Sequence, residues 1–114
     1  MNDRIDIDWE RLHQISEDDP EFELELLTML AEDVKLHIED LRQAVIDGNA
    51  EAIAHEAHYI KGASANVGVR PIATLAKQLE QLAREPSPTD NPAALVAQMA
   101  VELGNLEAYL AGRE

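Results

Sequence analysis

The sequence predicts an all-α protein: an antiparallel, up-down four-helix bundle with a short N-terminal capping helix. Three observations carry this. Apolar residues return at alternating three- and four-residue steps through four segments, which is the period of one helix face. Start and stop signals punctuate those segments. Asp19-Pro20 and Asn91-Pro92 each put an acceptor side chain at a cap and proline in the first turn, and Gly48 and Gly68 stand where left-handed stops belong. No stretch reads as a strand. Short connections between long amphipathic helices favour antiparallel neighbours.

Taken in order, residues 1–7 are polar and acidic and are expected to fray; they lack the apolar core of a signal peptide. A short helix follows at 8–16, with Trp9, Leu12 and Ile15 on one side and Trp9 closing one end of the core. The next helix starts at Asp19-Pro20, with Glu21 and Glu23 at the positive end of its dipole, and runs to Asp47. Its stripe is Leu24, Leu27, Ala31, Val34, Ile38, Leu41 and Val45. At ~1.5 Å per residue it is about 40 Å long. His37 beside this stripe, like His13 before it, reads as a surface or half-buried histidine with no obvious partner. Asn49 caps the third helix, which Gly68 ends; Ile53, Ala57, Ile60, Ser64 and Val67 are its buried stripe. Pro71 opens a fourth with Ile72, Leu75, Leu79 and Leu82 facing inward, and Pro86-Ser87-Pro88-Thr89-Asp90 is a linker. The last helix begins at Asn91-Pro92 and buries Val96, Met99, Leu103, Leu106 and Leu110.

A chain of 114 residues suggests one domain, 1–114. Without cysteine, disulfides, thiolate metal sites and cysteine catalysis are excluded. No apolar run reaches the ~18 residues of a membrane span. The net charge of −14 repels nucleic acid and anionic membrane. That charge is uneven: residues 1–51 carry −12 and 85–114 carry −4, whereas 52–84 carry +2. A dianionic group visiting this protein would meet least repulsion there.

That segment holds His58. It lies one residue past the buried stripe, about 100° round the helix, with Lys61 and Gly62 following on the same face. A glycine inside a helix costs roughly 1 kcal/mol relative to alanine. The simplest compensating need is room for something bulky to approach the imidazole.

The run His58-Tyr59-Ile60-Lys61-Gly62-Ala63-Ser64, with Gly68 ten residues after the histidine, resembles the signature of histidine-containing phosphotransfer (HPt) domains. Ala63 stands where that family often has serine, and Val69 where alanine is common; both keep a similar size. The resemblance spans nearly the whole chain. It implies that His58 is the phosphoacceptor, that Lys61 stabilises charge beside it, and that Gly62 keeps the approach open. Ser64 and Gly68 are supporting positions. Glu80 would accept a hydrogen bond from the ring and fix its tautomer; a solvated glutamate is the plain alternative.

A neutral imidazole is a competent nucleophile because its reference pKa is about 6.5. Phosphoryl transfer through a loose, highly charged transition state needs a metal ion and fixed cations. Near His58 the sequence offers Lys61, with Arg70 and Lys77 as further helpers, but no nucleotide loop and no carboxylate cluster for Mg²⁺. The chain is therefore expected to be a phosphocarrier in a multistep His–Asp relay, with no kinase or phosphatase machinery and no cofactor of its own. Its partners by resemblance are response-regulator receiver domains, which bring the Mg²⁺, and hybrid sensor kinases. Tyr59, Val69 and outward residues of the first helix are the candidate docking surface. A monomeric, free-standing cytoplasmic protein is the accompanying expectation.

Two rival readings stay open at this point. Glu51, His55 and His58 fall on one helix face and could share a metal ion, though Lys61 and Gly62 have no role in that site. Alternatively the domain is a non-phosphorylated helical adaptor, a degenerate HPt.

Overall fold

The computed structural model describes residues 6–87 and 91–112. Five helices follow one another: α1 (Trp9–Ser16), α2 (Pro20–Asp47), α3 (Ala50–Val67), α4 (Arg70–Arg84) and α5 (Pro92–Ala111). Four of the five described helix starts carry a side-chain cap, α4 being the exception, and Asp8 caps α1 by accepting from the Arg11 amide. Asp19 accepts from the amides of Glu21 and Phe22, Asn49 from Ala52, and Asn91 from Ala94. Gly48, at φ 65°, ends α2. The last residues of the 86–90 linker, 88–90, and the fraying expected for 1–5 lie outside the described residues.

Helix α2 packs on α3 and α5, and α4 packs on the same two, so α2, α3, α4 and α5 occupy the corners of a four-helix bundle. Helix α1 lies across one end, against α2 and α3. The 45 Å long axis is about the length of α2. Buried Leu27, Ile38 and Leu41 of α2 meet Ile60 of α3, Ile72 and Leu79 of α4, and Met99 and Leu106 of α5 in one apolar cluster. No described helix is long and apolar enough to cross a membrane.

The core departs from the sequence reading in four places. Leu24 and Val45 are only partly buried; Leu30 and Ala44 take the deep positions on α2. On α4, Leu75 is half-buried and so is Leu82, while Ala76, Ala83 and Glu80 are buried. The buried face of α4 is thus Ile72, Ala76, Leu79, Glu80 and Ala83, which turns Glu80 inward, and α4 packs most extensively on α3. Trp9 remains 39% exposed, leaning on His13 and Tyr109 with ring centroids 6.1 Å away, so it does not seal the core. Finally, Ile7 does not fray. It is buried and forms an isolated antiparallel bridge with Val69.

That bridge belongs to a clip between the N-terminal segment and the α3–α4 turn. The Asp8 amide donates to the Gly68 carbonyl at 2.7 Å, and the Arg70 amide to Asp6 at 3.3 Å. Gly68 is required twice over. Its φ is 85°, and a Cβ there would lie 2.9 Å from the Asp8 carbonyl oxygen.

Candidate functional site

Helix α3 buries Ala57, Ile60 and Ser64 and so turns His58 outward; 65% of the His58 side chain is exposed. Across the close α3–α4 contact stands Glu80, with only 10% of its side chain exposed. Glu80 Oε2 accepts from His58 Nδ1 at 2.9 Å. Lys61 Nζ pairs with Oε1 at 2.8 Å. Arg84, one turn further along α4, donates from Nε at 3.1 Å and Nη2 at 2.9 Å to Oε2. Both carboxylate oxygens are thus engaged, and Glu80 is not a solvated side chain.

These partners decide the electrostatics. The Lys61 ammonium first, then Arg84 and His58, pull the Glu80 carboxyl down to about 2, against the opposing effect of burial. At neutral pH Glu80 is therefore a pure acceptor, so the hydrogen at Nδ1 belongs to the imidazole. The neutral tautomer then carries its lone pair on Nε2, the nitrogen away from Glu80. With one carboxylate against Lys61 and Arg84, the patch around a neutral His58 bears a net positive charge. One turn on from the histidine, a Cβ placed on Gly62 would meet nothing within 4 Å. The backbone beside the ring is bare and open.

The structure brings together His58, Lys61, Gly62 and Glu80 and adds Arg84, which sequence reasoning passed over. The available signal was the Glu80–Arg84 spacing of four, a common surface pair. Ser64 is fully buried in the core, with no hydrogen-bond partner for Oγ among the described residues. Gly68 sits at the far end of α3, about 15 Å along the axis from His58. Arg70 is no helper to His58, because it pairs with Asp6 at 3.1 Å and with Asp8 at 3.8 Å. Lys77 is exposed on α4, one turn before Glu80.

Of the docking candidates, Val69 is buried at 2%, held by its bridge to Ile7, and cannot contribute. Tyr59 is 46% exposed. Its hydroxyl donates to Asp33 at 2.6 Å, and this bond, reinforced by the Asp33 charge, raises the phenol above its ordinary pKa. The two histidines expected to lack partners have them: His13 pairs with Glu23, and half-buried His37 pairs with Glu56 at 2.5 Å and stacks on Tyr59. Among the described residues, the histidine–carboxylate group whose donor atoms converge is His37, Asp40 and Glu56, not Glu51, His55 and His58.

The family model for the Hpt domain matches residues 25–111. No curated protein gave a significant match. Solved structures did. Histidine-containing phosphotransfer protein B (HptB) from Pseudomonas aeruginosa PAO1 superposes with a TM-score of 0.85 at 27% identity, over 97% of this chain and 96% of that one. A rice protein described as a histidine-containing phosphotransfer protein gives 0.79 at 22% identity, over 94% and 78%. The Saccharomyces cerevisiae histidine phosphotransfer signaling protein Ypd1, crystallised with the receiver domain of its downstream response regulator Ssk1, gives 0.64 at 18% identity, over 93% and 89%.

Proposed function

The chain belongs to the Hpt domain family and is a phosphorelay phosphocarrier, and we propose that Nε2 of His58 is the atom that carries the phosphoryl group. The observation that supports this most is the bond from His58 Nδ1 to an ionised Glu80, which leaves Nε2 as the free, exposed lone pair. In the forward step that lone pair attacks the phosphorus of a receiver aspartyl phosphate. The N–P bond forms as the P–O bond to the aspartyl carboxylate breaks, and the carboxylate leaves with the bonding electrons. No proton need move: Nδ1 keeps its hydrogen, and Glu80 opposes the positive charge that the phosphorylated ring acquires. Return to another receiver aspartate is the same step reversed.

Lys61 and Arg84 hold the dianion by charge, each able to turn from Glu80 towards the phosphoryl oxygens. Gly62 leaves the in-line approach unobstructed. Mg²⁺ belongs on the receiver side. Glu80, the carboxylate bonded to His58, is saturated by two cations and an imidazole, so these residues do not suit a divalent ion, and this chain needs no cofactor of its own for the transfer. It likewise has no kinase or phosphatase function. Receiver domains are the partners, and hybrid sensor kinases carry some of them. Tyr59 and the outward side of α1, including Trp9, supply apolar contact at the docking face. We take residues 1–114 as one domain, acting as a cytoplasmic monomer.

The test is transfer from a labelled, phosphorylated receiver. The wild-type chain acquires acid-labile label. His58→Gln acquires none while keeping its helical circular dichroism. Label retained on the variant would move the acceptor elsewhere. No label on either protein, tested across a panel of receivers, would point to the adaptor reading.

A further inference from the structure

A second cluster of ionisable side chains lies outside the phosphotransfer site, on the α2–α3 face. His37 and Asp40 stand one turn apart on α2, Glu56 reaches across from α3, and one donor atom from each falls within 4.8 Å of the others. We propose that these three side chains bind a divalent transition-metal ion. The inference is independent of the role of His58.

Several features distinguish this group from an ordinary acidic surface. The ring of His37 is held in place: it stacks on Tyr59 with centroids 4.1 Å apart, and only 24% of its side chain is exposed. Its two nitrogens have different surroundings. Nδ1 meets Glu56 Oε1 at 2.5 Å, and Nε2 faces Asp33 Oδ1 at 3.5 Å. Asp33 is in turn fixed by the Tyr59 hydroxyl. A histidine metal ligand commonly has one nitrogen on the metal and the other turned to a carboxylate; here Asp33 stands on the far side of the ring at ion-pair distance.

Charge points the same way. Asp33, Asp40 and Glu56 converge on one imidazole, and none has a lysine or arginine ion-pair partner among the described residues. Glu80, by contrast, has two. A proton now joins Nδ1 to Glu56. A metal ion would displace it, take Nδ1, Glu56 and Asp40 as ligands, and complete its shell with water. One nitrogen with two carboxylates suits zinc or a similar ion over Mg²⁺ or Ca²⁺, which prefer all-oxygen shells.

The test is calorimetric titration of the full chain with Zn²⁺ alone, in two buffers of different ionisation enthalpy. One ion should bind per chain, with proton release. His37→Gln should abolish this binding. Asp40→Asn, at an exposed residue whose change leaves the fold alone, should weaken it clearly. Asp33→Asn, which removes only the outer carboxylate, should weaken it about 10–100-fold. His58→Gln and His13→Gln should bind as the wild type does. Binding that survives His37→Gln, binding lost in His58→Gln, equal competition from Mg²⁺, or no binding at all would each overturn the proposal.

Discussion

His58 of α3 and His37 of α2 each place Nδ1 against a glutamate of a neighbouring helix, Glu80 at 2.9 Å and Glu56 at 2.5 Å. The pairs differ in what surrounds them. Around His58 the glutamate is neutralised by Lys61 and Arg84, the ring is mostly in water, and the helix surface at Gly62, one turn on, is open. Around His37 the glutamate is joined by two aspartates, the ring is covered by Tyr59, and Nε2 is turned to Asp33. On the two proposals above, the same imidazole–carboxylate bond would serve opposite ions. A patch with two cations admits a phosphoryl dianion, and a patch with three carboxylates repels one while attracting a metal dication. The second ring of charge, not the histidine, sets the chemistry.

The sharpest way to break this contrast is to remove each ring in turn. His58→Gln should eliminate phosphoryl capture from a charged receiver. His37→Gln removes the stacking partner of Tyr59 but no group that touches His58, so the label should still be captured, at a rate lowered only by a weakened docking contact. Quench-flow transfer assays on both variants decide it. Equal losses would mean the two histidines act as one site.

The next largest effect belongs to the glutamates. Glu80→Ala removes a charge-assisted hydrogen bond worth about 1.5–3 kcal/mol, so transfer should slow about 10–100-fold. Glu56→Ala should leave the rate nearly unchanged. Comparable slowing by both would show that Glu80 acts only through the packing of α3 on α4.

The helices were legible because their information is local. A cap at Asp19, Asn49 or Asn91 and a stripe such as Val96, Met99, Leu103 lie within a turn or two of each other. The candidate site was half legible for the same reason: His58, Lys61 and Gly62 share one turn of α3. Its other half lies on α4, and its facing depends on how closely two helices approach. Choosing the bulky Leu75 and Leu82 as the inward stripe missed that Ala76 and Ala83 are the buried positions, and so left Glu80 undecided and Arg84 unnoticed. The Ile7–Val69 bridge joins positions 62 apart by a single pairing, which leaves no period to read. His37 and Glu56 likewise meet only in the folded chain.

Gly62 offers a smaller, two-sided effect. A Cβ there meets nothing, so Gly62→Leu should preserve the fold and raise helix stability by up to about 1 kcal/mol. The same side chain would stand one turn from the ring and slow transfer by crowding the receiver's approach. Thermal unfolding and the transfer assay together separate the two effects. A variant that is more stable and equally fast would remove access as the reason for the glycine.

The smallest effect is the one pH should expose. Glu80 titrates at about 2 in the folded chain against an ordinary 4.5. A depressed carboxyl binds fewer protons folded than unfolded, so its stabilisation is complete above pH 4.5 and fades as pH falls towards 2. Screening keeps the size modest, because Lys61 and Arg84 reach Glu80 from a solvated surface. The whole acidic chain loses stability on acidification, so only a difference between variants isolates this group. Urea unfolding of wild type and Glu80→Gln should show a constant gap from pH 5 to 7 that closes between pH 4.5 and 2. Glu56→Gln serves as the comparison from the other histidine, since no lysine or arginine pairs with that carboxylate among the described residues. A gap for Glu80→Gln that is flat through the acid range would mean that Lys61 and Arg84 do not hold this carboxylate in solution, and the tautomer argument for Nε2 would lose its footing.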